Sequence, residues 1–423
     1  MEKVWNKIRM IFMDKSLRSR VLFVLVALIV FRLLSNIPIP GVDTAQLERV
    51  INNNQLLGAF NILSGGGLSH LSIIMLGVGP YITGSIIMQL LTIMVPRLKS
   101  MYQEEGELGK KKFTQYGRIL TVPLAVIQGF SLIILLSKQG VLGDLSTFQM
   151  IANIVIVVGG SMLLMWIGEL ISEFGIGNGV SLIIFAGIVA SIPSSIGQFI
   201  YTFEIAKLPM YLIFLVVGLL IIAGVVLITE AERPIPVTYA KQVRGYGNAG
   251  GVQTYLPLRV NQAGVIPIIF GLSILMFPQI LGNLLANSTN HILLSISKGM
   301  LWFVQNSVAY AITYFILVFL FTYFYTAITF DPKQLADNLQ KGGAFVPGIR
   351  PGTATVDYIS NILTRITLVG ALFLGVIAVL PLVMKGITGI TSFALGGTAL
   401  LIVVSVVLDL IKKVEAQLSM REY

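Results

Sequence analysis

The sequence predicts an all-α membrane protein that crosses the bilayer many times. Of its 423 residues, 55% are hydrophobic and only 11% are charged, whereas a soluble domain carries roughly 25% charged residues. The mean hydropathy of +0.87 agrees with this class. Lipid is therefore expected to cover most of the apolar surface, so the usual estimate of domain number from chain length does not apply.

The hydrophobic residues fall into ten segments of about 20 residues, the length that an α-helix needs to cross a bilayer. These segments lie at 21–37, 73–95, 117–137, 150–170, 180–199, 210–229, 264–283, 302–326, 363–383 and 391–411. We therefore expect ten transmembrane helices, with connecting loops on alternating sides of the membrane.

Basic residues predict the orientation of these helices. If the N-terminus lies in the cytoplasm, 23 of the 29 Lys and Arg residues fall on the cytoplasmic side, 5 on the outer side and Arg32 within the first segment. Cytoplasmic loops of membrane proteins carry such an excess. Both termini are therefore expected in the cytoplasm, and the net charge of +10 becomes a basic surface suited to anionic lipid or an acidic partner.

The ten segments divide into two halves of five, at about residues 1–205 and 206–423. The first half begins in the cytoplasm and ends outside, and the second half does the reverse. If the halves are structural repeats, they must be inverted, related by an axis in the membrane plane.

The stretch Leu57–Leu91 is apolar but interrupted by three consecutive glycines, Gly65–Gly67, which disfavour a helix. A short helix is expected at Leu57–Leu63 and a span at Ile73–Val95. Irregular backbone at membrane depth is tolerated where protein or a cavity satisfies its polar groups, which predicts a cavity-lining segment with a movable, glycine-hinged piece. A kinked lipid-facing helix after a surface loop is the alternative.

Two cytoplasmic loops are long, at residues 230–261 and 329–363. Loops of this length are usually either functional or disordered. Proline and glycine recur in them with aliphatic residues in between, which favours an ordered, protruding hairpin. The sequence therefore predicts a docking face toward the cytoplasm.

Several kinds of chemistry are disfavoured by composition. The chain has no cysteine, which excludes disulfides and thiolate metal sites. His70 and His291 have no second nitrogen ligand nearby in the sequence, so a zinc site is not expected. The glycines between residues 245 and 251 lack the Gly-Lys-Ser/Thr of a phosphate-binding loop. We therefore expect neither a cofactor nor an enzyme.

Charge is scarce within the spans. Glu169 and Glu173 lie at the cytoplasmic end of the fourth span, and Asp409 lies near the end of the tenth. A secondary solute transporter shares broken helices and is the alternative function, but it usually carries charged residues at membrane depth. An intramembrane enzyme would need a Ser–Lys or Asp pair there, and the sequence shows no evident pair.

Three uncharged polar residues stand isolated in or beside spans two, three and seven: Thr83, Gln128 and Asn261. They are consistent with ordinary interhelical hydrogen bonds. They are equally consistent with a polar seam between helices that separate and close again.

Five stretches resemble the SecY family of protein-translocation channels. They are Ile37–Gly41, SGGGLS at 64–69, GIGNGVSLIIFAGIV at 175–189, LPLRVNQAGVIP at 256–267 and DNLQKGGAFVPGIRPG at 337–352. The resemblance covers essentially the whole chain in order, and the last of these stretches is long and specific. The resemblance implies two inverted five-helix halves around an hourglass pore. This pore would secrete unfolded polypeptides across the cytoplasmic membrane or insert them into it.

The resemblance also implies roles for particular residues. The pore ring would consist of Val78, Ile82, Ile184, Ile269 and Ile402. The plug would span about residues 57–71 and include Phe60, Ile62, Leu63, Ser64, Gly65, Gly66 and Gly67. The lateral gate would contain Thr83, Gln128 and Asn261, and docking would use Arg244, Lys341 and Arg350.

Partners are implied in the same way. They are SecE and SecG, the ATPase SecA, the ribosome, signal sequences, unfolded preproteins and membrane lipids. Nucleic acid is expected only as ribosomal RNA. The implied location is the bacterial cytoplasmic membrane.

Overall fold

The computed structural model describes residues 14–40, 61, 64–142, 146–201, 204–205, 208–239, 253–286, 290–388 and 396–419. Within them the chain forms thirteen helices and one small sheet. The helices are α1 (Lys15–Ser35), α2 (Gly79–Met94), α3 (Pro96–Gln103), α4 (Gly106–Lys138), α5 (Thr147–Phe174), α6 (Gly179–Tyr201), α7 (Leu208–Glu230), α8 (Ile266–Leu285), α9 (His291–Gln305), α10 (Ser307–Thr329), α11 (Pro332–Lys341), α12 (Thr353–Thr388) and α13 (Gly396–Ser419). The strands are β1 (Glu232–Tyr239), β2 (Gln253–Arg259) and β3 (Ala344–Phe345).

Each of the ten predicted spans overlaps at least one of these helices, and the eighth, 302–326, overlaps the end of α9 as well as α10. By length and composition, six described helices can cross a membrane, or seven if α2 and α3 form one span bent by 112° at their junction. The helical, multi-pass class is therefore confirmed, whereas the number ten stays a prediction. The helices α1 and α13 overlap predicted spans but carry several charged residues each, so composition alone does not mark them as spans.

Helix starts follow the sequence closely. The Asp14 carboxylate accepts hydrogen bonds from the backbone N–H groups of Ser16 and Leu17 and so caps α1. Ser146 and Gln149 form a reciprocal capping box at α5. Proline stands in the first turn of α2, α3, α8 and α11, where its missing N–H would have no intrahelical partner.

The two long loops form one ordered module. Strands β1 and β2 make an antiparallel hairpin from Glu232 opposite Arg259 to Thr238 opposite Gln253. Strand β3 from the second loop adds to the other edge of β1. The predicted hairpin is thus present in the first loop, while its tip at 240–252 lies outside the described residues. This small sheet is an addition to the all-α class that the sequence predicts.

Two hydrophobic clusters organise the membrane-spanning part. The larger one takes buried residues from α1, α2, α5, α6, α7, α8, α10, α12 and α13, so it reaches into both halves of the chain. The smaller one joins α4 and α5 to the chain that precedes α2. The interior between the two halves is therefore apolar.

We call residues 64–78 the glycine segment; it has turns but no helix. The predicted span beginning at Ile73 starts later, at Gly79, because Gly77 adopts a left-handed φ of 58° and Pro80 sits in the first helical turn. Six apolar side chains of the segment are fully buried, and Ile73 is partly buried; the six are Leu68, Leu71, Ile74, Met75, Leu76 and Val78. The surface-loop alternative is therefore wrong for these residues.

Hydrogen bonds satisfy this irregular backbone. The segment pairs with the chain after α1, through Ile39 N–H to the Leu71 carbonyl and Ile73 N–H to the Ile37 carbonyl, each 2.9 Å. The Ser161 hydroxyl of α5 donates to the Gly77 carbonyl at 2.9 Å. Such satisfaction is what irregular backbone needs inside a membrane protein.

Candidate functional site

The five predicted ring residues are buried together. Val78 precedes α2 and Ile82 lies in its first turn, whereas Ile184, Ile269 and Ile402 lie in the first two turns of α6, α8 and α13. All five are 0–7% exposed and belong to the larger hydrophobic cluster. We call these five side chains the waist. None of them faces lipid, so the arrangement is compatible with a shared central constriction.

The glycine segment lies directly beside the waist. Gly65 packs against Gly187, which is one helical turn after Ile184 on α6, and a Cβ on Gly187 would overlap the Gly65 backbone. Gly65 itself has a left-handed φ of 67°, and a Cβ there would come within 2.6 Å of the Phe31 ring. Only glycine at both positions allows the two backbones to approach this closely.

The predicted plug falls partly outside the described residues. Phe60, Ile62 and Leu63 lie there, as does most of the expected helix at 57–63, of which only Asn61 is described and is helical. The glycine part of the plug is described: Ser64, Gly65 and Gly67 are buried and Gly66 is partly buried. The role of this stretch as a plug therefore stays a prediction.

Two of the three predicted gate residues meet. The Gln128 amide of α4 donates to the Thr83 hydroxyl of α2 at 3.4 Å, and that hydroxyl donates to the Gly79 carbonyl at 3.0 Å. Both side chains are buried. They link the helices of the second and third predicted spans.

Asn261 lies apart from this pair, just before α8. Its amide nitrogen donates to the Gly264 carbonyl at 3.2 Å. Its side-chain oxygen is buried and accepts no hydrogen bond from the described residues. A Cβ on Gly370 of α12 would lie 3.8 Å from the Asn261 Cα, so Asn261 sits where α8 enters the bundle beside α12.

Helix α4 also packs against α8, and we call the contact of α2 and α4 with α8 the seam. The Ser131 hydroxyl of α4 donates to the Ile280 carbonyl of α8 at 3.4 Å, a cross-seam bond that the sequence analysis missed. Ser131 follows Gln128 by three residues and so shares its helix face. That spacing is the signal that could have found it.

The candidate docking residues lie on the ordered module. A small apolar cluster of Ile235, Leu258, Val346 and Ile359 holds the sheet against α11 and the start of α12. Lys341 and Arg350 are exposed beside this cluster, and the Arg350 carbonyl accepts a hydrogen bond from the Thr355 hydroxyl at 2.9 Å. Their backbone is therefore fixed while their charges reach solvent. Arg244 lies outside the described residues.

Acidic residues near the span ends form ion pairs. Glu169 of α5 pairs with Arg118 of α4 at 2.7 Å, and Asp409 pairs with Lys413 within α13 at 2.7 Å. These pairs are partly exposed, which places them at the edge of the bundle, away from the waist.

Comparisons with known proteins agree on one family. The SecY family model matches residues 72–411. The protein translocase subunit SecY of Streptomyces galbus is 40% identical over 435 residues, covering 97% of both chains.

Solved structures show the same fold. A SecY structure, whose plug domain is described as stabilising the closed state of the translocation channel, aligns with a TM-score of 0.66 at 18% identity, over 96% of this chain and 93% of that one. Canine Sec61 in a ribosome–channel complex aligns with a TM-score of 0.61 at 17% identity, over 96% of this chain and 93% of that one.

Proposed function

This chain belongs to the SecY family, and we propose that it forms the central protein-conducting channel of a bacterial Sec translocase. Unfolded polypeptides cross the cytoplasmic membrane through it, and membrane proteins leave it sideways into lipid. The observation that carries this proposal is the waist, in which five aliphatic side chains are buried in one cluster. They come from α2 and the residue before it, and from α6, α8 and α13.

The waist acts as the pore ring. A ring of aliphatic side chains disfavours water and ions without any fixed charge. It makes no directional bonds, so it yields around a passing chain and closes behind it. Val78 is one methylene smaller than isoleucine, which loosens the seal slightly at that point.

The stretch 57–71 acts as the plug, and the seam acts as the lateral gate. The described glycines anchor the plug next to the waist through the contact of Gly65 with Gly187. An apolar signal sequence partitions into lipid when α4 and α8 separate. Among the described residues, the hydrogen bond that crosses this seam runs from the Ser131 hydroxyl to the Ile280 carbonyl and is long, at 3.4 Å, so the gate opens at small cost.

The ordered module is the docking face for SecA or a ribosome. Arg350, Lys341 and Arg244 supply positive charge there. The driving energy comes from such a partner, since the chain itself serves as a passive pore and not as an enzyme. SecE and SecG complete the complex, and the module and both termini face the cytoplasm in line with the distribution of Lys and Arg.

Cross-linking tests the channel assignment. The chain has no cysteine, so Ile184→Cys and Ile402→Cys each introduce a single thiol at the waist. A precursor stalled during export should form adducts with both. The control is Leu219→Cys on α7, whose side chain is 59% exposed and should face lipid. Equal adducts at all three positions, or none at the waist, would contradict the proposal.

Charge reversal tests the docking face. Arg350→Glu should strongly reduce SecA-driven export in reconstituted vesicles while the protein still inserts normally. Lys333→Glu is the matched control, because Lys333 is also exposed and lies on α11 of the same module. Normal export by the Arg350→Glu protein would show that Arg350 is not needed for docking.

A further inference from the structure

Helix α9 lies on the side of the membrane opposite the sheet. Helix α8 begins seven residues after β2 and is 20 residues long, which corresponds to about 30 Å at 1.5 Å per residue. This matches the thickness of the bilayer core. Helix α10 returns to the sheet side, where α11 and β3 follow it. Helix α9 therefore connects two membrane-crossing helices at the far surface.

A sharp corner separates α9 from α10. The single residue between them, Asn306, has an extended conformation with φ −78° and ψ 97°. Its side chain accepts hydrogen bonds from the N–H groups of Val308 and Ala309 at 3.1 Å each, and so caps α10. Because α9 ends before Asn306 and α10 is capped anew after it, the two are separate helices.

One face of α9 is fixed to the end of α8. Ser297 is 1% exposed, and its hydroxyl donates to the Gly282 carbonyl of α8 at 2.7 Å. Leu301 and Met300 pack over the same glycine, where a Cβ would come within 3.1 Å of Leu301. The packing on α8 therefore fixes the depth of α9 in the membrane.

The remaining surface of α9 has two unlike flanks. At 100° per residue around a helix, Ile292 and Ile296 lie about 100° to 140° from Ser297 in one direction. His291 and Lys298 lie about 100° to 120° from it in the other. Ile292 is 69% exposed and Ile296 is 43% exposed. Trp302, 63% exposed, lies between the flanks on the side away from α8.

We propose that α9 lies in the plane of the membrane surface and that its binding partner is the lipid bilayer. The isoleucine flank enters the acyl chains, and the flank with Lys298 and His291 reaches the headgroups and water. This is the pattern of an interfacial amphipathic helix, and tryptophan favours the same depth.

Continuity with the lipid-facing surface of α10 supports this partner. Val308 and Ile312, just past the corner, are 67% and 56% exposed. The C-terminal end of α9, which carries exposed Trp302 one turn before the corner, therefore meets a surface that lipid must already cover. Through Ser297 and Gly282, α9 ties the far end of the seam helix α8 to the bilayer surface.

Spin labels on single cysteines test this placement. Because the chain has no cysteine, each of Ile292→Cys, Ile296→Cys, Ser295→Cys and Lys298→Cys carries one nitroxide. The full chain is reconstituted in vesicles of phosphatidylethanolamine and phosphatidylglycerol. Collision rates are measured with oxygen, which concentrates in lipid, and with a water-soluble nickel chelate. The oxygen-to-nickel ratio should be several-fold higher at 292 and 296 than at 295 and 298.

Two outcomes would overturn the proposal. If positions 292 and 296 collide with the nickel chelate as often as 295 and 298, α9 stands in water. If 292 and 296 are shielded from both reagents, another protein surface covers the flank instead of lipid.

Discussion

The waist has two neighbours that are built differently. On one side the glycine segment meets α5 and α6 through backbone contacts. Three of its backbone groups also form hydrogen bonds of 2.9 Å, two with the chain after α1 and one with Ser161 of α5. On the other side, α4 is linked to α8 across the seam by a side-chain hydrogen bond of 3.4 Å, from Ser131 to the Ile280 carbonyl. A close backbone contact tolerates almost no displacement, whereas a long side-chain bond is easily exchanged. The difference indicates that the bundle parts at the seam and holds where residues 73–78 of the glycine segment pack against α5.

The largest expected effect is a loss of stability where the glycine segment packs against α5. Gly160→Val on α5 would place a side chain into the backbone carbonyl of Ile73. Overpacking of this kind costs about 1–3 kcal/mol. The melting temperature of the purified complex should therefore fall clearly.

Gly159→Val is the matched control for that change. It alters helix propensity equally on the same helix, but a Cβ at Gly159 meets nothing within 4 Å. If both variants melt at the same temperature, the contact of Gly160 with the glycine segment contributes nothing to stability, and the comparison fails.

The second largest effect is expected on ion conductance, when the waist residues are replaced. Replacing Ile184, Ile269 and Ile402 together by serine adds hydroxyls that let water enter the constriction. Resting ion conductance in planar bilayers should rise. Serine at equally buried positions of the smaller cluster, Ile133 and Val157, should leave conductance low. A leak in that control, or no leak in the waist variant, would show that the waist residues do not form the barrier to ions.

Charge in the polar gate positions should have a smaller effect. Thr83→Asp and Asn261→Asp each bury a carboxylate, which is costly at membrane depth. Opening lets the carboxylate reach water, so the closed state loses stability and export of precursors with defective signal sequences should increase. Thr83→Val, which keeps the shape without a charge, is the control. Unchanged export of those precursors by both aspartate variants would show that these residues serve packing only.

The smallest effect is expected at Ser131. Ser131→Ala removes one hydrogen bond across the seam, and such bonds are worth about 0.6 kcal/mol on average. This corresponds to about a threefold shift toward the open gate. Spin-label distances between exposed Phe130 and Leu281 measure it. Ser273→Ala is the control, because that hydroxyl bonds within α8 itself. An equal shift in both variants would show that the Ser131 hydrogen bond does not hold the gate closed.

Local patterns in the sequence predicted much of this molecule. The spans overlap helices because runs of about 20 apolar residues have few alternatives in a membrane. The hairpin at 230–261 followed from proline and glycine between aliphatic residues. The start of α2 was placed six residues too early, since apolar residues such as Ile74 and Met75 suit a buried irregular segment as well as a helix.

Residues whose roles depend on a distant neighbour were harder to predict. Ser131 was missed because its acceptor is a backbone carbonyl 149 positions away, and the spacing from Gln128 marks the shared helix face but not that partner. The closeness of Gly65 to Gly187 is likewise a contact between remote segments. The waist residues were named from family resemblance, and their individual roles stay predictions.

The sequence by itself determined that the chain is a multi-pass helical protein, because hydropathy measures the cost of leaving water. Only the tertiary structure decided which apolar residues face inward. Lipid tails are as apolar as a protein interior, so hydropathy treats buried Ile402 and exposed Leu219 alike. The packing of α2, α6, α8 and α13 separates them, since a side chain leaves the lipid-facing surface only where a neighbouring helix covers it.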